Sequence, residues 1–253
     1  MGEIIAVVNQ KGGVGKTTTA VNLAACLHQA GARVLLCDFD PQANATSGLG
    51  VTKKNHITVY DAIISGNSGR EAVVSTPYCD LIPSSAALSG LGIELVGEEA
   101  REFRLRQLLE PLKDSYDWIL IDCPPSLELL TLNGLCAAGQ ILVPVQCEYY
   151  ALEGLSDLMT TLRAVKKHFQ PRLEIYGVLL TMYDGRINLS MQVAEEVRRH
   201  FPGKVFTTVI PRNVRLSEAP SHGLPVIAYD KYCRGAEAYA ALAEEMIRKQ
   251  GGI

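Results

Sequence analysis

Near the N-terminus, glycines, lysines and threonines follow one another in a spacing suited to phosphate binding. The segment K-G-G-V-G-K-T-T begins at Lys11, shortly after the apolar run Ile4–Val8 of the predicted strand Ile4–Asn9. Glycines let backbone N–H groups converge on phosphate oxygens, and the N-terminus of a following helix adds a favourable dipole. The sequence therefore predicts a P-loop that binds the phosphates of a nucleotide, made of Lys11, Gly12, Gly13, Val14, Gly15, Lys16, Thr17 and Thr18.

This loop departs from the ordinary G-x-x-x-x-G-K-[ST] pattern. The first glycine of that pattern falls on Gln10, and a second lysine, Lys11, precedes the glycines. We assign Lys16 to the β- and γ-phosphates of ATP and the Thr17 hydroxyl to Mg²⁺. The alternative is a glycine turn with incidental lysines. Strand, loop, lysine, threonines and helix all agree with a nucleotide site instead.

Three aspartates follow two other apolar runs. Asp38 and Asp40 come after Val34–Cys37, and Asp122 comes after Trp118–Ile121. In an open α/β sheet, ligands bind outside the carboxyl ends of the strands, and carboxylates there can hold Mg²⁺ directly or through water. We assign Asp122 to the metal, Asp38 to the metal's water shell and Asp40 to the attacking water. The alternative is that these aspartates only cap turns.

Short apolar runs alternate with helical patterns along the chain. Strands that are apolar throughout are typical of a parallel sheet covered on both faces. The sequence predicts an α/β fold with a single doubly wound, mostly parallel sheet and helices on both faces, in one domain over residues 1–253. The predicted strands are Ile4–Asn9, Arg33–Asp38, Leu81–Pro83, Trp118–Asp122, Ile141–Pro144, Gly177–Thr181 and Val205–Ile210. The predicted helices are Lys16–Ala30, Glu98–Lys113, Leu127–Ala138, Leu152–His168, Ser190–Phe201 and Gly235–Lys249, and Ala43–Gly69 is predicted to hold mobile loops.

The composition argues against a disulfide-stabilised, zinc-binding or membrane-spanning protein. The 253 residues are 47% hydrophobic and carry a net charge of −3. The seven cysteines are odd in number and form no C-x-x-C pair, which argues against a disulfide framework or a zinc site. We find no basic, apolar leader pattern and no apolar run of about 18 residues. We therefore expect a cytoplasmic protein.

Several segments together resemble the ParA/MinD group of deviant Walker-A ATPases, which have a P-loop NTPase fold. They are the loop Lys11–Thr18, the run D-F-D-P-Q from Asp38 and the run I-D-C-P-P-S from Ile121. Two longer segments, P-V-Q-C-E-Y-Y-A-L-E-G from Pro144 and V-I-P-R-N-V-R-L-S-E-A-P-S-H-G from Val209, resemble the ParA/Soj branch.

The resemblance implies a partitioning ATPase with ATP and Mg²⁺ as ligands and weak intrinsic hydrolysis. Two ATP-loaded monomers would form a homodimer in which Lys11 of each reaches the nucleotide held by the other, as an arginine finger does. Lys11, Lys16 and Asp40 would then act in catalysis. Pro211 and Asn213 would lie against the adenine base. The resemblance also implies a ParB-type partner that stimulates hydrolysis.

Positive charge is concentrated in one part of the chain. Residues 163–215 contain ten basic and four acidic side chains, a net charge of +6, so the remainder carries −9. This asymmetry fits sequence-independent contact with double-stranded DNA, and hence association with the nucleoid. The resemblance implies Arg186 and Arg215 as leading DNA contacts. Weaker candidates are Arg198, Arg199, Lys231 and Arg234, and the alternative is that all of these are solvated surface side chains.

Three other functions stay open at this point. A MinD-like septum-placement ATPase would end in a basic amphipathic membrane helix, whereas residues 236–249 are alanine-rich and mixed in charge. An electron-transfer ATPase resembling the nitrogenase iron protein would need a cluster-binding cysteine, for which Cys123 is the candidate. A non-catalytic adaptor would bind ATP as a structural ligand only. We expect no membrane partner.

Overall fold

The computed structural model describes residues 2–52, 56–66, 68–126 and 128–251, and in them it contains a seven-stranded sheet of order β3-β4-β2-β5-β1-β6-β7. All neighbours pair in parallel except β3 and β4, which are antiparallel. The two-residue β3 is a strand that the sequence did not predict. The strands are β1 Glu3–Val7, β2 Val34–Asp38, β3 Val74–Ser75, β4 Asp80–Ile82, β5 Trp118–Asp122, β6 Gln140–Gln146 and β7 Glu174–Thr181.

Helices cover both faces of this sheet. Successive residues of β1 face opposite sides, because side chains alternate along a strand. Ile4 and Ala6 join a core that includes α5 to α8, whereas Ile5 and Val7 join a core that includes α1 and α11. The predicted doubly wound α/β fold is confirmed. The helices are α1 Lys16–Gln29, α2 Asn44–Gly48, α3 Val59–Ser65, α4 Leu91–Glu94, α5 Arg104–Leu109, α6 Leu129–Ala137, α7 Ala151–His168, α8 Asn188–His200, α9 Val214–Glu218, α10 Val226–Tyr229 and α11 Arg234–Gly251.

The strand register brings the predicted acidic residues together. Asp38 at the end of β2 pairs with Asp122 at the end of β5, and Val7 at the end of β1 also pairs with Asp122. Because β1 runs into the glycine loop, the loop and both carboxylates meet at one edge of the sheet. Every residue of β2 and β5 is buried, as expected for the central strands of a parallel sheet covered on both faces.

The predicted strand Val205–Ile210 is wrong. This segment runs alongside β7, and the amides of Phe206 and Ile210 donate to the carbonyls of Val178 and Leu180 at 3.0 and 2.9 Å. No regular ladder forms, because the amides of Thr207 and Thr208 instead donate to the carboxylate of Glu245 at 2.7 and 2.9 Å. Alternate amides of a strand face its neighbour, so Glu245 of α11 takes the Thr208 donor that would have continued the ladder with β7 between Phe206 and Ile210.

Two further predictions need correction. The single helix Glu98–Lys113 is broken: Ala100 has a positive φ of 53°, and short 3₁₀ turns precede and follow α5. Proline at position 111 opens the second of these turns. The region Ala43–Gly69 contains the helices α2 and α3, and α3 begins with a capping box in which Thr58 and Asp61 bond each other's backbone amides. The predicted start of α6 at Leu127 lies outside the described residues.

The cysteines behave as small apolar side chains. All seven are free, and five of them are buried: Cys26, Cys37, Cys79, Cys123 and Cys136. Burial raises the pKa of the Cys26 and Cys79 thiols to about 12. These thiols are therefore uncharged at neutral pH, which agrees with a role in packing.

Candidate nucleotide site and nucleic-acid interface

The glycine loop has the backbone geometry of a phosphate cradle. Gly13 and Gly15 have φ values of 76° and 91°, a left-handed conformation that side chains with a Cβ rarely adopt. The helix α1 begins at Lys16, so its free N–H groups point toward the loop. The Thr181 hydroxyl donates to the carbonyl of Val14 at 2.8 Å, which ties the loop to β7.

The side chain of Lys16 is folded over this loop. Its ammonium group donates to the Lys11 carbonyl at 3.0 Å, and the residue is only 7% exposed. Burial lowers the pKa of Lys16, while the charges of Asp122 and Asp40 oppose the shift. Lys16 therefore lies inside the site among carboxylates, where a bound phosphate can take up its hydrogen bonds.

Asp122 is the most unusual polar group in the site. Its carboxyl is completely buried, and across the described part of the chain neither oxygen has a hydrogen-bond partner. Burial raises the pKa of Asp122 and the nearby Asp38 adds to the rise. The Thr17 hydroxyl, which lies near the carboxyl but outside good hydrogen-bonding geometry, opposes the rise. An uncompensated buried carboxylate is costly, so a cation next to Thr17 and Asp122 would relieve it.

The donor set around Asp122 suits Mg²⁺ held jointly with a nucleotide. Carboxylate and hydroxyl oxygens are the ligands that Mg²⁺ takes, usually with substrate phosphates and water completing the shell. Within the described ranges no group of three or more His, Cys, Asp or Glu side chains could hold a metal on its own. In such a site, nucleotide phosphates and water would supply the remaining ligands.

Asp38 anchors the loop that carries Asp40. One Asp38 oxygen accepts from the Thr46 amide and hydroxyl at 2.7 and 2.6 Å, and the other accepts from the Asp40 amide at 3.3 Å. Burial raises the pKa of Asp38 to about 6, and the hydrogen bonds from Thr46 oppose this rise. Its assignment to the metal's water shell stays a prediction, and the observed contacts give it a positioning role.

Two adjoining cavities extend over this edge of the sheet. The first, of about 340 Å³, is lined by the glycine loop with Lys16, Thr17 and Asp40. The second, of about 310 Å³, is lined by Pro211 and Asn213. Both cavities share Gly15, Thr18 and Met182 as lining residues. The predicted phosphate and adenine contacts therefore lie side by side.

Met182 and Tyr239 line these cavities although the sequence did not indicate them. Met182 follows β7 with a positive φ of 50°, so the strand ends there in a sharp turn. The Tyr239 hydroxyl of α11 lies 3.1 Å from that of Thr19. A glycine or asparagine at position 182 would have signalled this turn, but a methionine gives no such signal.

Lys11 is engaged within its own chain. Its ammonium group forms an ion pair with Glu148, in the turn between β6 and α7, and lies 5.6 Å from the ring centre of Tyr150. Its amide donates to the Asn9 side chain at 3.0 Å. Tyr149 and Tyr150 beside it are 73% and 61% exposed. Lys11 therefore lies at a surface that carries two unburied aromatic rings.

The two leading DNA-contact candidates are exposed but paired with carboxylates. The Arg186 guanidinium donates to Asp184 at 3.0 and 2.7 Å, and these contacts lower the pKa of Asp184 to about 2. Arg215 pairs with Glu218 at 2.8 Å and with Asp230 at 3.3 Å. DNA phosphates would have to compete with these carboxylates.

The weaker candidates differ in their environment. Arg199 pairs with Glu196 at 2.7 Å on the surface of α8. Lys231 lies 4.8 Å from the ring centre of Tyr232, whose side chain is 79% exposed. Among the described residues, Arg198 and Arg234 take part in no ion pair. Lys231, Arg198 and Arg234 are therefore the cations with fewer competing contacts.

Comparisons with known proteins agree with these features. A family model described as an AAA domain matches residues 2–175. The chain is 57% identical over 249 residues to the sporulation initiation inhibitor protein Soj of Bacillus subtilis strain 168, covering 97% of this chain and 98% of that protein. It is 52% identical over 252 residues to the chromosome partitioning protein ParA of Myxococcus xanthus strain DK1622, covering 98% and 89%. The chain belongs to the ParA/Soj family.

A solved structure resembles this ParA/Soj chain over nearly its whole length. It is the crystal structure of cobyrinic acid a,c-diamide synthase from Mycobacterium smegmatis with a bound ATP analogue and magnesium. The TM-score is 0.88 at 34% identity, covering 99% of this chain and 96% of that one. The family and the P-loop NTPase fold implied by the sequence motifs are thus confirmed.

The C-terminal helix of this ParA/Soj chain is packed against the body of the protein. The apolar face of α11, with Tyr239, Leu242 and Met246, is buried in the core that also contains residues of α1. Over the residues described, no helix combines the length and apolar character needed to cross a membrane. The apolar face of α11 therefore has a partner within the protein.

Proposed function

We propose that this chain is a chromosome- or plasmid-partitioning ATPase that hydrolyses ATP slowly. Its ATP-bound form is a homodimer that binds double-stranded DNA without sequence preference, and a ParB-type partner stimulates hydrolysis. The similarity to Soj and ParA proteins over nearly the whole chain supports this function. Residues 1–253 act as one domain, and we expect the protein in the cytoplasm on the nucleoid.

The observation that carries the proposal is the buried, unpaired Asp122 carboxyl at the end of β5, beside the glycine loop. Thr17 and Asp122 would hold Mg²⁺, which neutralises charge on the triphosphate, and Lys16 would contact the β- and γ-phosphates. Gly12, Gly13, Val14, Gly15 and Thr18 would supply backbone and hydroxyl contacts. Pro211 and Asn213 would contact the adenine base.

Asp40 would hold the attacking water. It lines the same cavity as Lys16 and Thr17, and its amide and one of its carboxylate oxygens are fixed by contacts to Asp38 and Gln42. The water attacks the γ-phosphorus, and the products are ADP and phosphate. Intrinsic turnover is slow because Lys11, the second cation for the triphosphate, has to come from another copy.

Dimer formation requires a change of partner for Lys11. In the single chain its charge is compensated by Glu148. In the ATP-loaded dimer, Lys11 of each copy contacts the triphosphate held by the other. ADP lacks the γ-phosphate, so it attracts Lys11 less strongly and the ion pair with Glu148 is retained. Dimerisation then joins two basic surfaces that include Arg186 and Arg215, so affinity for DNA rises steeply.

Nucleotide-dependent DNA retention tests this proposal. Wild type and Lys16→Ala are applied to filters with labelled duplex DNA at low salt, with Mg-ATP or Mg-ADP. We expect retention by the wild type with ATP only, and none by Lys16→Ala. Retention that is equal with ATP and ADP would remove the proposed switch. Sedimentation of the same samples shows whether the retained form is a dimer.

A further inference from the structure

A third cavity lies at the amino-terminal ends of the strands, on the opposite side of the sheet from the nucleotide site at their carboxyl ends. It measures about 290 Å³ and lies between α7 and the first residues of β6 and β7. Its apolar floor consists of Ile141, Met159, Leu162, Leu173 and Ile175. We call this cavity, together with its rim, the lower groove. The floor can receive an apolar side chain of ordinary size.

The lower groove is distant from the nucleotide. Glu174, at its edge, begins β7, and Thr181, which lines the second nucleotide cavity, ends the same strand. Seven residue steps at about 3.3 Å each separate the two sites by about 23 Å. A nucleotide at the carboxyl edge of the sheet therefore leaves the lower groove open.

The rim of the lower groove carries an excess of positive charge. Arg163 and Lys166 lie three residues apart on α7, and Lys204 approaches from the segment after α8. All three are exposed, and in the described part of the chain none forms an ion pair. Burial lowers the pKa of the nearby Lys249, and the charge of Lys204 adds to this decrease. Glu174 is the one acidic side chain among the residues that line the groove.

This rim differs from the predicted DNA contacts. Arg186 and Arg215 are held by carboxylates of their own chain, whereas no ion pair with a described residue holds the three rim cations. Phosphate contacts alone would make no use of an apolar cavity between the cations. A ligand that combines carboxylates with an apolar side chain uses both the rim and the floor, because charge and shape are then matched together.

We propose that the lower groove binds an acidic amphipathic segment of another protein. One apolar side chain of that segment occupies the cavity over Leu162 and Ile175, and flanking carboxylates pair with Arg163, Lys166 and Lys204. The proposed ligand is acidic, so it differs from any partner segment that is basic. The lower groove therefore provides a docking surface separate from the nucleotide site.

The test uses three synthetic probes and the full chain saturated with Mg-ADP. The first is a fluorescein-labelled 14-residue helical peptide with leucines on one face and glutamates on the other. In the second, serines replace the leucines, and in the third, lysines replace the glutamates. Fluorescence anisotropy measures binding. We expect the first peptide to bind at least about tenfold more tightly than the other two, since each lacks one half of the recognition.

Neighbouring charge reversals on α7 locate the binding surface. Lys166→Glu places a negative charge on the rim, whereas Lys167→Glu makes the same change beside the groove. Both positions are exposed, so both variants are expected to fold. Lys166→Glu is expected to weaken the acidic peptide about tenfold, and Lys167→Glu to leave its affinity unchanged. Met159→Trp fills the cavity with a larger side chain and is therefore also expected to weaken binding of the acidic peptide.

Three results of the peptide measurements would overturn the proposal. They are equal affinity for the acidic and basic peptides, an equal loss of affinity in Lys166→Glu and Lys167→Glu, and unchanged affinity in Lys166→Glu. Retention of duplex DNA with Mg-ATP is measured in parallel. If Lys166→Glu lowers DNA retention more than Lys167→Glu does, the rim belongs to a nucleic-acid surface and not to a protein-binding one.

Discussion

Replacing Asp122 by asparagine should have opposite effects on the nucleotide-free and nucleotide-bound protein. The Asp122 carboxyl is fully buried without a hydrogen-bond partner in the described chain. Leaving a buried polar group unsatisfied costs about 1–3 kcal/mol, and more when it is charged. Asp122→Asn keeps the shape and removes the charge. We expect the free energy of unfolding without nucleotide to rise by about 1–2 kcal/mol.

The corresponding change in melting temperature is measurable. For a chain of this size, 1 kcal/mol shifts the Tm by about 2–4 °C. Circular dichroism should therefore show Asp122→Asn melting several degrees above the wild type in EDTA. With Mg-ATP at about 100 times its Kd, the wild type should gain about 2.7 kcal/mol. The variant should lose most of this gain, because the metal loses its protein carboxylate.

The exposed Asp114 provides the control for this substitution. Asp114→Asn removes one negative charge at the surface and should change neither the melting temperature in EDTA nor the gain with Mg-ATP. If Asp122→Asn melts below the wild type in EDTA, the buried carboxyl is stabilising and the cost assigned to it is refuted. A full Mg-ATP gain in the variant would remove Asp122 from the metal site.

Three further predictions concern other groups. Asp40→Ala should retain ATP and DNA binding while hydrolysis, measured as phosphate release, falls about 100-fold, and unchanged hydrolysis would contradict its role. Lys11→Ala should bind ATP, measured with a fluorescent analogue, without ATP-dependent self-association on a gel-filtration column. Burial alone would raise the pKa of Glu245, but the hydrogen bonds from the amides of Thr207 and Thr208 lower it overall. The stabilisation of the fold by the charged Glu245 is therefore fully present above the unfolded pKa of about 4.3. This stabilisation is lost as pH falls through the lower folded pKa. Glu245→Ala should therefore lower the Tm by several degrees at pH 7, and this difference from the wild type should shrink in acid. Glu244→Ala, at the neighbouring exposed position, should leave the Tm unchanged at both pH values.

The nucleotide site was largely predictable because its signals are local. A strand, a glycine loop and a helix follow each other without interruption, and the structure has this succession with α1 beginning at Lys16 as predicted. The positions of Asp38 and Asp122 followed from the rule that parallel strands end at one edge. The strand register then brought these two carboxylates opposite each other.

Features set by distant residues could not be predicted in this way. The segment Val205–Ile210 reads as a strand, but Glu245 on α11 takes the Thr208 amide that would have completed the ladder. The ion pair between Lys11 and Glu148 joins residues 137 positions apart. No local pattern indicates such a pair, which gives Lys11 a partner in its own chain besides the nucleotide that the family resemblance implies.

The association state of Asp40→Ala with Mg-ATP tests the central claim most directly. This variant blocks turnover while leaving Lys11, Lys16 and Thr17 in place. Sedimentation velocity at high protein concentration should show a dimer with Mg-ATP and a monomer with Mg-ADP. A monomer under both conditions would contradict the account, because no second copy would then bring Lys11 to the triphosphate or join the two DNA-binding surfaces.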